Sequence, residues 1–276
     1  MSARLRGIAH QTEEIVAAGR YRASDGRTVP IAAAVDAARA GTRVYGPEPV
    51  QTPRVTPVET VIEVTGESSL EAARRLPGPV AVLNFASARN PGGGYLNGAQ
   101  AQEEALCRAS ALYTCVLHAR AFYDHHRTHR DPFYTDRVIH SPGVPVFRDD
   151  HGRLLDEPYT AGFLTAAAPN AGVVLRTAPE RAGELPYALA VRAERVLETA
   201  VAEGYRRLVL GAWGCGVFQN DPGQVAGAFR ALLTDGGRFT GAFDHVVFGV
   251  LDRTRGAVTR AAFEQAFALV DGVRRP

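Results

Sequence analysis

Apolar positions recur along this chain in two rhythms, the 3.6-residue period of amphipathic helices and the short unbroken runs of buried strands. Leu5, Ile8, Ile15 and Val16, with Thr12 between them, share one side of a helix over residues 2–18 that ends near Gly19. The stretch to about residue 58 holds Pro30, Pro47, Pro49, Pro53 and Pro57 and reads mostly as loop, with one short helix at 35–40. Beyond it, strands and helices alternate: strand 61–64, helix 69–76, strand 80–85, a glycine-rich loop, and one long helix from Gln102 to about Tyr123. Residues 138–140, 144–147 and 163–166 read as strand segments, and 185–202 as a clear helix. Strand 208–210 leads into a second glycine loop and a helix at 222–233, and strand 245–251 and helix 258–270 close the pattern. Alternation of this kind with largely apolar strands predicts an α/β protein whose mixed, mostly parallel sheet is covered on both faces. The expected architecture is a three-layer α/β/α sandwich with an N-terminal helical extension. Residues 1–58 are expected to pack on a catalytic core of residues 59–276, with no linker dividing them.

Composition narrows the class. With 276 residues and 46% hydrophobic side chains the chain can bury a sizeable core. A net charge of +2 gives no basic footprint for nucleic acid, so no direct nucleic-acid partner is expected. All 31 basic residues are arginine, a uniformity that reflects base composition and singles out no phosphate site. Cys107, Cys115 and Cys215 are too few and too irregular for a disulfide framework, which points to a reducing cytoplasm. No signal-like or membrane-length apolar stretch is present, so no membrane partner is expected.

Candidate chemistry gathers in two loops. The first, Asn90-Pro91-Gly92-Gly93-Gly94, sits between strand 80–85 and the Gln102-Glu103-Glu104 helix start. Glycines let backbone amides approach a ligand, and acids beside them are what glycosidic-bond chemistry requires. The bland alternative is that Glu103 and Glu104 only complement a helix dipole. The second loop, Gly211-Ala212-Trp213-Gly214-Cys215-Gly216-Val217-Phe218-Gln219-Asn220-Asp221, could offer successive amides to a diphosphate, or its glycines could merely relieve a tight turn. Loops that follow parallel strands share one edge of the sheet. The spacing of Gly211, Gly214 and Gly216 is not the Rossmann fingerprint, and a chain without lysine has no P-loop lysine. His118, His125, His126, His129 and Cys115 lack a recognisable third or fourth ligand spacing, so no metal site is expected. Adjacent acids on a helix point about 100° apart, so Glu103 and Glu104 do not flank one bond as a two-carboxylate pair.

Both loops together resemble the macrodomain-type poly(ADP-ribose) glycohydrolases, especially their compact bacterial form. That family's signature is a glycine triplet followed shortly by Gln-Glu-Glu, matched by Gly92-Gly93-Gly94 and Gln102-Glu103-Glu104. The resemblance runs over roughly residues 60 to 270, and the N-terminal helix is similar too. It implies that Glu104 protonates the departing ribose oxygen and then activates water, that Glu103 holds ribose hydroxyls, and that Gln102 shapes the site. It implies further that Gly214, Cys215, Gly216 and Val217 wrap the diphosphate while Phe218 packs on the terminal ribose. Asn90 is the better candidate for ribose hydrogen bonding; Asn84 is equally readable as a strand residue. The implied substrate is poly(ADP-ribose) or an ADP-ribosylated protein, the product ADP-ribose, and no metal or other cofactor takes part. Three rivals remain: a reader that binds ADP-ribose without cutting it, a hydrolase of singly modified proteins, and a nicotinamide-dependent oxidoreductase. One tension accompanies the catalytic reading. A helix N-terminus favours an ionised carboxylate, whereas a general acid needs its proton, so burial and a nearby anion must offset the dipole.

Overall fold

The computed structural model describes residues 2–268. Helix α1 (Ala3–Ala18) starts at Ser2, whose side chain accepts from the Leu5 amide, and stops at Gly19 in the left-handed conformation. It is followed by a small hairpin of β1 (Arg20–Arg22) and β2 (Thr28–Pro30), by α2 (Ala32–Gly41) and by β3 (Arg43–Tyr45). The stretch expected to be mostly loop thus carries three short strands. Each has only three residues, too few to show a periodicity, and β3 depends besides on a partner distant in sequence.

The chain then passes through β4 (Val61–Thr65), α3 (Ser69–Arg75) and β5 (Ala81–Phe85). The long helix expected after the first glycine loop is broken into α4 (Gln102–Ala109), α5 (Leu112–His118) and α6 (Arg120–Thr128). Ser110 makes the first break. It is fully extended, its hydroxyl donates to the Leu106 carbonyl at 2.7 Å, and it bridges to Val146 across the fold. Two expected strand segments merge into one, β6 (Val138–Arg148), with a register shift between Ser141 and Val144 where Gly143 takes positive φ. Next come β7 (Leu154–Ala166), α7 (Ala171–Thr177), α8 (Leu185–Ala202), β8 (Arg207–Leu210), α9 (Pro222–Leu233), β9 (His245–Gly249) and α10 (Val258–Phe267). The last two residues of the helix expected at 258–270 lie outside the described residues.

Among the described residues, seven strands form the main sheet in the order β3-β6-β7-β5-β8-β9-β4. Pairings from β7 through β4 are parallel, whereas β6 runs against both of its neighbours. One apolar cluster, including Val82, Phe122 and Phe163, fills the face toward α1 to α6. A second, including Leu83, Trp213 and Phe248, fills the face toward α8 to α10. Successive β5 residues Val82 and Leu83 therefore feed opposite layers, the strand alternation of a sheet covered on both sides. β3, drawn from the N-terminal 58 residues, is the edge strand of this same sheet. The chain leaves β5 toward β6 and β7 on one side and leaves β8 toward β9 on the other, so the crevice between β5 and β8 is a topological switch point. No described helix is long and apolar enough to cross a membrane.

Candidate active site

The two glycine loops leave the carboxyl ends of β5 and β8, which are hydrogen-bonded neighbours, and they face each other across one cleft of about 1080 Å³. That volume lies at the upper end of what small-molecule sites enclose. Asn90, Gly93, Gly94, Gln102, Glu103, Glu104, Gly214, Cys215, Gly216, Val217 and Phe218 all line it. Gly92 does not; it sits behind the loop, where an added Cβ would come within 2.7 Å of the Tyr113 ring.

Gln102 uses its amide on the protein. Its oxygen accepts from the Phe85 amide at 2.9 Å, and its nitrogen donates to the Leu83 carbonyl at 2.8 Å and to Ser69 Oγ at 3.0 Å. These bonds pin the start of α4 to the end of β5 and place the two acids over the sheet edge.

Glu103 is 2% exposed. Its Oε2 accepts from the Ser87 amide at 2.7 Å, and its Oε1 lies 3.3 Å from the donating Asn84 Nδ2. Burial pushes its pKa up to about 8, aided by the neighbouring Glu104 charge and only partly opposed by the Ser87 bond. Glu104 is 7% exposed and accepts two backbone amides, Gly94 at 2.8 Å and Ala101 at 3.0 Å. Gly93 explains the need for glycine at this point: it has φ +58°, and a Cβ there would lie 2.4 Å from Glu104 Oε1.

The second loop is held from below. Trp213 Nε1 donates to the Ala166 carbonyl at 2.9 Å, and Asn220 Nδ2 donates to the carbonyls of Pro169 at 2.8 Å and Gly214 at 3.2 Å. Among the described residues, the amides of Gly214, Gly216, Val217 and Phe218 donate to no protein acceptor. Free amides on a loop beside a cleft form an anion cradle. Burial pushes the Cys215 thiol up to about 12, so its neutral side chain adds no charge there. Phe218 packs on Tyr134 with ring centroids 5.8 Å apart, leaving Val217 beside it 81% exposed.

Asn84, weighed beside Asn90 and equally readable as a strand residue, lies within β5; its Nδ2 also donates to Thr165 Oγ1 at 3.0 Å, and its buried Oδ1 has no partner. Other participants escaped the sequence reading. The far wall comprises Ser68, Val250, Leu251 and Asp252, contributed by the exits of β4 and β9, with Thr259 from the start of α10. The rule that ligands gather beyond strand carboxyl ends points there, although no motif does. Asp252 is held down to about 2, chiefly by hydrogen bonds from the Thr254 hydroxyl and amide. The histidines on α6 serve the fold: His126 is buried against Phe122 and Thr135, with its pKa lowered to about 4 by burial, and His125 stacks on His129 at 4.1 Å. No group of three or more metal-ligating side chains occurs among the described residues.

Residues 9–149 match the family model described as the microbial-type PARG catalytic domain. The crystal structure of the poly(ADP-ribose) glycohydrolase from Thermomonospora curvata is 51% identical, with a TM-score of 0.90 over 96% of this chain and 100% of that one. This chain belongs to the microbial-type poly(ADP-ribose) glycohydrolase family. The same Thermomonospora protein bound to the inhibitor ADP-HPD gives 51% identity and a TM-score of 0.88 over 96% of this chain and 100% of that one. The poly(ADP-ribose) glycohydrolase from Deinococcus radiodurans, solved with ADP-ribose, is 45% identical with a TM-score of 0.78 over 85% of this chain and 98% of that one. A comparison with curated protein sequences finds no match. The family model ends before the Gly211–Asp221 loop.

Proposed function

We propose that this chain hydrolyses the ribose–ribose O-glycosidic bond of poly(ADP-ribose) and releases ADP-ribose. The observation that carries this reading is the pairing, across one cleft, of two buried carboxyls on α4 with a cradle of free amides on the facing loop. Family membership supports it, as do ADP-ribose in the Deinococcus relative and ADP-HPD in the Thermomonospora one. In this reading Gly214, Gly216 and Val217 bind the diphosphate, and Phe218 confines the terminal ribose against Glu103 and Glu104. Asn90 and Glu103 take its hydroxyls. Glu104 gives its proton to the departing ribose oxygen as the C–O bond breaks, and the diphosphate oxygens stabilise the cationic sugar. The resulting Glu104 carboxylate then takes a proton from the attacking water, which regenerates the acid.

Against the dipole, burial raises the Glu103 pKa, and the Glu104 charge beside it adds to the rise. Ribose hydroxyls donating to Glu103 would favour its ionised form. The raised pKa of Glu103 favours a second assignment, with Glu103 itself as the acid. Paired substitutions separate the two. Glu104→Gln should lower ADP-ribose release from polymer by on the order of 10³-fold while ADP-ribose still binds, whereas Glu103→Gln should weaken binding as well. A fully active Glu104→Gln enzyme would end the first assignment. Failure of the wild type to release ADP-ribose from polymer, with binding intact, would make the chain a reader; release only from singly modified protein would make it a mono-ADP-ribosyl hydrolase. Cys107, Cys115 and Cys215 are all free, which supports a reducing compartment such as the cytoplasm.

A further inference from the structure

The N-terminal helix lies behind the first glycine loop and grips it at two points. Tyr95, which follows Gly94, is fully buried, and its ring packs on Tyr113 with centroids 5.0 Å apart. Its hydroxyl stands 2.9 Å from Glu13 Oε1 and 3.1 Å from the Ala9 carbonyl, both on α1. Three residues on, the Ser2 amide donates to the Gly98 carbonyl at 3.1 Å, and a Cβ on Gly98 would come within 2.4 Å of the Ser2 carbonyl. On the cleft side of the same loop, the Gly94 amide donates to Glu104 Oε1 at 2.8 Å. A single peptide unit therefore separates the side chain anchored by α1 from the amide that orients the acid.

We propose that Glu13 is a positioning residue: through the Tyr95 hydroxyl it fixes the Gly94 amide, and with it the carboxyl of Glu104. The inference rests on the assignment of Glu104 given above. The chemistry of the contact favours a group that can donate. A phenol has one proton and here two acceptors, so both bonds form only when residue 13 donates to the Tyr95 oxygen while Tyr95 donates to Ala9. Burial raises the Glu13 pKa in the direction of that donating form, only partly opposed by the Tyr95 hydrogen bond. A glutamine at position 13 can donate in the same way; an alanine cannot. Nothing on α1 touches the cleft, so an effect of Glu13 on turnover must travel through the loop.

The test compares wild type with Glu13→Ala, Glu13→Gln and Tyr95→Phe, measuring kcat and KM on polymer at 25 °C, thermal melting, and amide exchange across residues 92–98 without substrate. Misplacing a catalytic group by a fraction of an ångström to 1 Å should cost Glu13→Ala and Tyr95→Phe about ten- to a hundredfold in kcat, with KM changed by less than about threefold. Both variants should exchange the 92–98 amides faster than wild type, and Glu13→Gln should behave as wild type in every readout. The proposal is overturned if both variants keep kcat within twofold, if Glu13→Gln loses as much as Glu13→Ala, or if loop exchange does not change. Should Glu13→Ala fail to fold, Tyr95→Phe, which keeps the buried ring, decides alone. A wild type that does not cleave polymer would instead overturn the functional reading, while loop exchange would still report on the brace.

Discussion

Glu103 holds a proton in the neutral range because it is shut away from water beside a second acid, and this has a measurable consequence for stability. Its folded pKa of about 8 lies above the ordinary value of 4.5. Between those two values the folded chain keeps a proton that the unfolded chain has released, so stability falls as pH rises from 4.5 to 8 and levels off above. Glu103→Gln removes this dependence. Its melting temperature relative to wild type should therefore climb between pH 5 and pH 9, by the equivalent of a few kcal/mol at most. A difference that stays flat with pH, or falls, would show that the carboxyl is ionised throughout. The two acids and the glycines before them are legible in the sequence because their chemistry is local: a loop with few side chains beside the first turn of a helix. Asn84 is legible as a strand residue, but not as a neighbour of Glu103. Its contact with Glu103 depends on β5 lying in register with β7, where Asn84 stands opposite Thr165, a pairing across eighty-one residues of chain.

At the scale of elements, the second glycine loop depends on its glycines unequally. Gly214 has φ +72°, and a Cβ there would stand 2.4 Å from Asn220 Nδ2 and 2.6 Å from Ala168 Cβ, the side chains that support the loop. Around Gly216 nothing lies within 4 Å of an added Cβ, and its φ is not in the left-handed region. Gly214→Ala should therefore combine left-handed strain of about 1–2 kcal/mol with displacement of Asn220. Affinity for ADP-ribose, measured by calorimetry, should then fall by about five- to thirtyfold, the equivalent of that strain. Gly216→Ala should change it far less, and equal losses at both positions would mean that bulk in the cleft, not loop geometry, sets affinity. The elements themselves were legible to different degrees for a physical reason. β5, β8, β9 and α8 are apolar runs or periods that declare themselves locally. The break at Ser110 and the three-residue strand β3 exist because of partners far along the chain, Val146 and Ile139, which local periodicity cannot sense.

For the whole molecule, the question is what holds the proline-rich stretch between β3 and β4, which forms no regular structure, against the core. Prolines deprive it of amides, so few backbone bonds can anchor it. Two do: the Val58 amide donates to the Gly241 carbonyl at 3.0 Å near its end, and the Val50 amide donates to Glu198 Oε2 at 2.9 Å near its middle. Glu198 is 0% exposed and also accepts from Arg195 and Arg238, so one carboxylate on α8 collects a buried arginine, a surface arginine and the extension. Removing it strands the Arg195 charge in an apolar layer, a loss of about 3–5 kcal/mol for a broken buried pair. Glu198→Ala should therefore lower the melting temperature by on the order of 10 °C in a chain of this size. It should also speed proteolysis within residues 46–58, while kcat at 25 °C stays near wild type because Glu198 does not line the cleft. Replacing both members of the pair, with Glu198→Leu and Arg195→Met, removes the stranded charge and should recover much of the melting temperature. Proteolysis of 46–58 should nevertheless stay fast, because the double variant still lacks an acceptor for Val50. Recovery of both would show that the Val50 bond to Glu198 does not hold the extension.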